Sequence, residues 1–97
     1  MTTLILEADP AVQDVVLTAE MLTIALVDGR QVGVPLSWYP RLLHASVEER
    51  SNWILLGEGY GIEWSDLDEH IEVEGLLSGR RSQESQKSFD RWLTSRS

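Results

Sequence analysis

Residues 21–35 read MLTIALVDGRQVGVP, two apolar runs that meet at a turn. In the first run Leu22, Ile24 and Leu26 alternate with smaller or polar residues, a period of two that is typical of a half-buried strand. The pair Asp28-Gly29 is typical of the tight turn between two antiparallel strands. This stretch therefore predicts a β-hairpin.

The turn allows two registers, which differ in the residue that faces Val32. A two-residue loop would place Ala25 opposite Val32, whereas a three-residue loop over residues 27–29 places Ile24 there. The longer loop also puts Gly29 at the position that needs a left-handed backbone, which glycine adopts freely. We favour the three-residue loop, because it pairs large apolar side chains on one face.

The flanking sequence adds further strands and short helices. Ser46 and Glu49 are spaced as a helix capping box, and residues 57–59 separate two β-rich runs as a hairpin turn or a bulge. Residues 1–10 form a lead-in with a short strand at Leu4–Leu6. The other predicted elements are strands at Val12–Leu17, Met21–Leu26, about Arg30–Val34, Trp53–Leu56, Tyr60–Trp64 and Ile71–Val73, a turn at Gly75–Leu77, short helices at Pro40 and Ser46, and a helix over about residues 82–94.

The predicted fold class is α+β, a small antiparallel β-meander with short helices and a C-terminal amphipathic helix. At 97 residues the chain has room for one core, so we predict a single domain with a body over about residues 12–79 and a helix over about 82–94. Cysteine is absent, and no apolar run approaches the roughly 18 residues of a membrane-spanning helix. With no signal-peptide pattern at the N-terminus, we expect a cytoplasmic protein that does not contact membranes.

The net charge of −8 is divided unevenly along the chain. Residues 1–79 contain fourteen acidic side chains and three arginines, a net charge of −11, whereas residues 80–97 contain five basic and two acidic side chains, a net charge of +3. A body of this charge repels nucleic acids and anionic membranes and attracts basic proteins.

The densest polar segment lies between residues 63 and 74, and its carboxylates are the predicted partner-binding surface. The Asp66-x-Asp68 spacing occurs in sites for hard cations, but a calcium loop that starts at Asp66 would need glycine and glutamate where Ile71 and Leu77 stand. We therefore predict no metal site, and interpret the segment as a solvated loop or as a face that meets a basic partner. We call its six acids the acidic cluster: Glu63, Asp66, Asp68, Glu69, Glu72 and Glu74.

No set of residues predicts catalysis or a cofactor. His44 and His70 are the candidates for a base active near neutral pH, but no Ser-His-Asp arrangement or Gly-x-Ser-x-Gly motif accompanies them. The glycine-rich residues 57–61 lack the lysine of a phosphate-binding loop. We interpret the tryptophans at 38, 53 and 64 as core and rim rather than as a stacking platform for bases or sugars.

The C-terminal helix has a narrow apolar stripe at Phe89, Trp92 and Leu93, spaced i, i+3 and i+4. A helix this short needs a surface to pack against. That surface is the body of its own chain, a twin subunit in a homodimer, or a partner protein, whose acidic groups would meet the basic residues at the start and middle of the segment: Arg80, Arg81 and Arg91.

Several ordered motifs between about Val16 and Leu93 resemble a bacterial family of unknown function called DUF2442. They are Val27-Asp28-Gly29-Arg30, Val34-Pro35-Leu36, Tyr39-Pro40-Arg41-Leu42, Glu48-Glu49-Arg50-Ser51-Asn52-Trp53, Gly61-Ile62-Glu63-Trp64, Leu67-Asp68-Glu69, Gly75-Leu76-Leu77-Ser78-Gly79, Ser82-Gln83-Glu84-Ser85 and Trp92-Leu93. The resemblance implies a β-meander with short helices. It also implies a genomic neighbour of the DUF4160 type, in an arrangement similar to a toxin–antitoxin pair. No catalytic residue is established for that family, so none is carried over.

These observations predict a non-enzymatic protein-interaction module, the antitoxin-like or accessory member of a two-protein bacterial system. Its partner would be a small basic protein, of the DUF4160 type if the resemblance extends that far, bound through the acidic cluster. The alternative is a dimeric regulator that contacts nucleic acid through its basic C-terminal tail, although the negative charge of the body opposes nucleic-acid binding.

Overall fold

The computed structural model describes residues 11–96, which form two three-stranded antiparallel sheets and several short helices. This architecture confirms the predicted α+β class, while the strand predicted at Leu4–Leu6 lies outside the described residues. None of the described helices is long and apolar enough to cross a membrane. The strands are β1 Val12–Leu17, β2 Met21–Leu26, β3 Gln31–Pro35, β4 Ile54–Leu56, β5 Gly61–Trp64 and β6 Glu69–Glu72; the helices are α1 Pro40–Leu43, α2 Val47–Ser51, α3 Val73–Leu77 and α4 Gln86–Ser95.

The first sheet, in the order β1-β2-β3, has the register predicted for the three-residue loop. Ile24 pairs with Val32 and Leu22 with Val34. The amide of Gly29 donates to the carbonyl of Leu26 at 3.0 Å, and Gly29 has a φ of +97°. The apolar alternation of β2 therefore faces the core, as predicted.

A β-bulge in β1 lets two residues that are three apart face the same side. The pairing with β2 shifts between Val12 and Asp14, so Gln13 is the extra residue. As a result Val12 and Val15 are both buried. Without the bulge, strict alternation would turn one of them toward solvent.

The strands of the second sheet, in the order β4-β5-β6, are joined by tight turns with left-handed backbone. Residues 57–59 connect β4 to β5 as a hairpin turn, and all three have positive φ angles, 57°, 61° and 97°. Asp68, with a φ of 52°, lies in the turn between β5 and β6. Aspartate tolerates this conformation better than most residues do.

Both sheets contribute to one hydrophobic core around Trp64, which is fully buried. Its indole N–H donates to the backbone carbonyl of Arg50 at 3.0 Å, so the buried polar group is satisfied. Trp38 and Trp53 are partly buried against the same core. The interpretation of the three tryptophans as core and rim is confirmed.

The capping box at the start of α2 is confirmed. The hydroxyl of Ser46 accepts from the amide of Glu49 at 3.1 Å, and the carboxylate of Glu49 accepts from the amide of Ser46 at 2.9 Å. Both bonds satisfy backbone donors that the helix itself leaves free.

Three predictions near the C-terminus are wrong: the end of the last strand, the turn after it, and the start of the C-terminal helix. The last strand ends at Glu72, and Val73 and the predicted turn at Gly75–Leu77 form helix α3. Helix α4 begins at Gln86 rather than near residue 82, because the hydroxyl of Ser85 accepts from the amide of Ser88 at 3.1 Å and caps the helix there. The chain before Ser85 is therefore free to run along the body.

The turn between β4 and β5 fits closely against the first sheet, and this contact is testable with Gly59→Ala. A Cβ at Gly59 would lie 2.8 Å from the carbonyl oxygen and 3.0 Å from the nitrogen of Val12, at a φ of +97°. We expect a loss of about 3 kcal/mol in the free energy of unfolding, because backbone atoms must move. Urea denaturation measures it.

Gly57→Ala is the matched control, because Gly57 also has a positive φ but a Cβ there meets nothing within 4 Å. It should cost about 1 kcal/mol through backbone strain alone. Equal losses in the two variants would show that the contact between the turn and Val12 does not constrain the fold.

Candidate functional site

The structure distributes the acidic cluster over four places around the β5–β6 hairpin. Glu63 pairs with His70 across the hairpin, so these side chains and that of Glu72 lie on the outer face of the sheet. Asp66 and Asp68 lie in the turn region, Glu74 is exposed on the first turn of α3, and Glu69 lies on the inner face beside the core. The predicted single face is therefore a curved acidic surface around one hairpin.

Among residues 11–96, none of the six acids of the cluster is in an ion pair. The ion pairs formed within residues 11–96 use Asp28, Glu49 and Glu84 as their acids. Asp66 accepts a hydrogen bond from the side-chain amide of Asn52 at 2.8 Å. Within the same described range, no three carboxylate or histidine side chains are grouped so that they could hold a metal ion.

A pocket of about 450 Å³ lies along the free edge of β6. One wall is β6 with the turn before it, residues 68–72, and the opposite wall is the chain between α3 and α4, residues 80–84, together with Ser88. Tyr39, Arg41 and α3 complete the lining. Its volume lies within the range of about 300–1,000 Å³ that is usual for ligand pockets.

The guanidinium of Arg41 joins the two walls of this pocket. Its Nε donates to the carboxylate of Glu84 at 2.9 Å, and its Nη1 donates to the backbone carbonyl of Leu67 at 2.8 Å. Both side chains of the ion pair are only 14% exposed. The hydrogen bond from Arg41 lowers the pKa of Glu84, whose carboxylate also accepts from the hydroxyl of Ser88 at 2.7 Å.

Glu69 is the one member of the acidic cluster that faces the pocket interior from the inner side of the sheet. Burial raises the pKa of this carboxyl to about 7. The charge of Arg41 opposes the rise, whereas those of Glu84 and Asp68 increase it, and the amide of His70 donates a hydrogen bond. Burial prevails because the guanidinium of Arg41 is already bonded to Glu84.

Tyr39 and the two arginines of the opposite wall complete the polar lining. The hydroxyl of the buried Tyr39 donates to the backbone carbonyl of Arg80 at 3.0 Å, and burial raises the pKa of that phenol. The guanidinium of Arg81 lies over the ring of Trp38, 4.8 Å from its centroid. Arg80 and Arg81 are exposed, so they form the rim.

Helix α4 lies against the body of its own chain. Phe89 is buried, with its ring centroid 5.3 Å from that of His44, and Leu93 is half-buried. Two guanidinium groups lie over the ring of Trp92, that of Arg41 at 5.2 Å and that of Arg96 at 4.5 Å from its centroid.

The last turn of α4 is also tied to the body. Arg96 donates to both carboxylate oxygens of Glu49 at 2.9 and 2.6 Å, and this contact lowers the pKa of Glu49 to about 2. Arg91 is exposed on the helix. The apolar stripe and the ion pair therefore hold α4 in place at several points along its length.

Sequence reasoning missed the residues that build the pocket. Arg41 and Glu84 are 43 positions apart, and no spacing rule connects them. Tyr39, Arg41 and Glu84 are parts of motifs that carry the family resemblance, which assigns them no role. Of the histidines, His70 lines the pocket, whereas His44 packs on α4.

The comparisons with known proteins agree with this architecture. A family model described as protein of unknown function (DUF2442) matches residues 12–82. The chain belongs to this family. A search of functionally curated proteins gave no match.

Two solved structures share the fold of this DUF2442 protein. A protein of unknown function from Rhodospirillum rubrum superimposes with a TM-score of 0.67 at 22% identity, over 80% of this chain and 96% of that one. An uncharacterized protein from Chromobacterium violaceum does so with a TM-score of 0.64 at 20% identity, over 84% of this chain and 74% of that one. Both likenesses show the fold alone.

The Arg41–Glu84 pair should contribute measurably to stability. We expect a double-mutant cycle with Arg41→Met and Glu84→Gln to give a coupling energy of about 1–2 kcal/mol, because both side chains are mostly buried and each single change strands a partner. Urea denaturation of the four proteins measures it. A coupling near zero would mean that the pair does not hold the two walls together.

Glu69 should make stability depend on pH. The folded protein keeps the proton of this carboxyl up to about pH 7, whereas the unfolded chain loses it near the ordinary value of 4.5. The folded state therefore binds more protons in this window, and stability falls as pH rises through it. Because Glu69→Gln removes the effect, it should be equal to wild type at pH 4.5 but more stable by about 2 kcal/mol at pH 8, after allowance for screening by solvent.

Denaturant unfolding of the two proteins at a series of pH values measures this difference. A stability difference that stays constant between pH 4.5 and pH 8 would show that Glu69 ionises as freely as it does in the unfolded chain.

Proposed function

We propose that this protein is a non-enzymatic interaction module that binds a small basic protein through the acidic cluster. In this proposal it is the antitoxin-like or accessory member of a two-protein bacterial system, with a DUF4160-type protein as the partner. The localisation that goes with such a role is cytoplasmic. The family match and the fold are compatible with this role, and the charge distribution supports it.

The observation that carries the proposal is the contrast between how the basic and acidic side chains are used. Arg41 is bound to Glu84 and a backbone carbonyl, and Arg50 donates to the carbonyls of Leu42 and Leu43 at 2.9 and 2.7 Å. These two arginines are thus turned to internal acceptors. The acidic cluster, by contrast, forms no ion pair within residues 11–96, and four of its members are exposed: Asp66, Asp68, Glu72 and Glu74.

Such a surface favours association with a basic protein in two ways. Its field accelerates encounter with positively charged partners, and this effect weakens as salt screens it. Its carboxylates are acceptors that lysine and arginine side chains satisfy on contact. Because the hairpin is anchored by Trp64 and Ile62 in the core, the carboxylates are held on a rigid element.

The proposal is tested with the variant D68N/E72Q/E74Q, which removes three exposed charges of the acidic cluster. The partner is first identified by mass among the proteins that copurify with the wild-type chain from its native cell, and its affinity is then measured by calorimetry at low and at moderate salt. We expect at least a tenfold loss of affinity, because each lost rim contact weakens association and its steering.

The matched control is E20Q/E48Q/E58Q, which removes the same number of exposed charges from other parts of the chain. It should bind nearly as the wild type does. Equal losses of affinity in the two triple variants would show that net charge alone causes the effect, and would contradict a localised site. Binding to DNA that is lost on deleting residues 80–97, with no basic protein partner found, would contradict the proposal in favour of the nucleic-acid regulator.

A further inference from the structure

The pocket beside β6 is an open groove, and its walls are parts of the chain that internal hydrogen bonds hold in place. Arg41 bridges Glu84 and the Leu67 carbonyl at one end. At the other end the amide of Arg80 donates to the carbonyl of Gly75 at 2.8 Å, and the amide of Ser82 donates to that of Trp38 at 3.1 Å. The two walls are therefore fixed before any ligand arrives.

Most hydrogen-bond donors of the inner pocket are already used within the protein. Arg41 donates to Glu84 and to a carbonyl, Tyr39 donates its hydroxyl proton to the Arg80 carbonyl, and Ser88 donates to Glu84. What remains is acceptor capacity: the carboxyl oxygens of Glu69 and the lone pairs of the Tyr39 oxygen. A ligand that matches these acceptors must carry hydrogen-bond donors, and it does not need a donor from the protein.

The charges of the inner pocket also favour a cationic ligand. Glu84 neutralises Arg41 directly, so the ionised Glu69 is left without an ion-pair partner among residues 11–96. A partly buried carboxylate in this state reduces the stability of the fold. A cation placed in the pocket removes that cost, and Asp68 and Glu72 on the same wall add to the attraction.

We propose that this pocket binds one ammonium or guanidinium group, supplied by a lysine or arginine side chain of the partner protein, with Glu69 as its charge partner and Tyr39 as a second acceptor. Both groups are donor-only cations, which match the acceptors left free. This inference rests on the proposed function, because it names the contact by which a basic partner would be recognised.

The rim limits the ligand to a single basic side chain. Arg80 and Arg81 line the wall opposite Glu69, and the guanidinium of Arg81 is held over Trp38. A second basic residue next to the inserted one would meet these two positive groups. The pocket therefore selects an isolated lysine or arginine over a run of them.

The test uses ¹⁵N-labelled protein titrated with an end-blocked pentapeptide that carries one lysine between glycines. We expect shifts in the backbone amides of residues 68–72 and in the Nε–H signal of Arg41, and at least a tenfold loss of affinity in Glu69→Gln. The same peptide with an acetylated lysine keeps its length but loses its charge, and it should not bind.

Glu48→Gln is the matched control, because Glu48 is an exposed carboxylate that lies outside both the acidic cluster and the lining of the pocket. It should leave peptide binding within a factor of two of wild type. Binding that survives in Glu69→Gln, equal binding of the acetylated peptide, or shifts confined to other parts of the chain would each overturn the assignment. Tighter binding of butylamine than of the peptide would show that the pocket prefers a free alkylamine. That result would overturn a protein side chain as the source of the cation.

The pH dependence gives a second readout, because Glu69 must lose its proton to bind a cation. Affinity should rise about tenfold between pH 6 and pH 8, given a pKa of about 7 for this carboxyl. The other titratable and charged groups that line the pocket are Asp68, His70 and Glu72 from its own wall, Arg41 from α1, and Arg80, Arg81 and Glu84 from the opposite wall. Since histidines titrate in this range, the rise must persist in His70→Gln, and a flat profile would contradict the role of Glu69.

The two proposals fail in distinguishable ways. If Glu69→Gln binds the protein partner as the wild type does while D68N/E72Q/E74Q does not, the pocket assignment is wrong and the acidic-cluster proposal stands. If the wild-type chain binds neither a basic protein nor the lysine peptide, both are wrong.

Discussion

The guanidinium of Arg41 holds together three parts of the chain that are far apart in sequence. From the first helix it reaches the carbonyl of Leu67 before β6 and the carboxylate of Glu84 before α4, and its other face lies near the ring of Trp92. Arginine suits this position because its planar fork donates in several directions at once and stays charged when buried. Lysine would replace these contacts with a single point charge.

The properties of the pocket follow from that one contact. Because Arg41 is committed to Glu84, it cannot neutralise Glu69, whose carboxyl remains half-buried and hard to ionise. The unpaired carboxyl of Glu69 lowers the stability of the fold. Such a local loss of stability is typical of ligand-binding sites. The wall that carries Glu84 and Ser88 lies just beyond the residues matched by the family model.

Local patterns predicted most of the fold. The hairpin register, the left-handed Gly29 and the capping box at Ser46 each depend on residues within a few positions of one another, and each was confirmed. The errors arose where local signals compete. The strand pattern of residues 71–73 ends one residue early because Val73 starts a helix, and α4 begins after its cap at Ser85 rather than near residue 82.

The site was less accessible to sequence reasoning, because it depends on contacts between distant segments. The acidic cluster could be listed, but only the strand pairing shows that Glu63 points outward and Glu69 inward. The sequence likewise shows the charges of Arg41 and Glu84. It does not show that they pair, because the pair forms only when the chain returns along β6.

The central claim is that Glu69 is a partly buried carboxyl that its nearest arginine leaves unneutralised. Following the ¹³C signal of its side-chain carboxyl by NMR from pH 3 to pH 9 tests this claim most directly. The account predicts a titration with a midpoint near pH 7 in the free protein. A midpoint at or below the ordinary value of 4.5 would show that Arg41 or another cation already pairs with Glu69, and would contradict it.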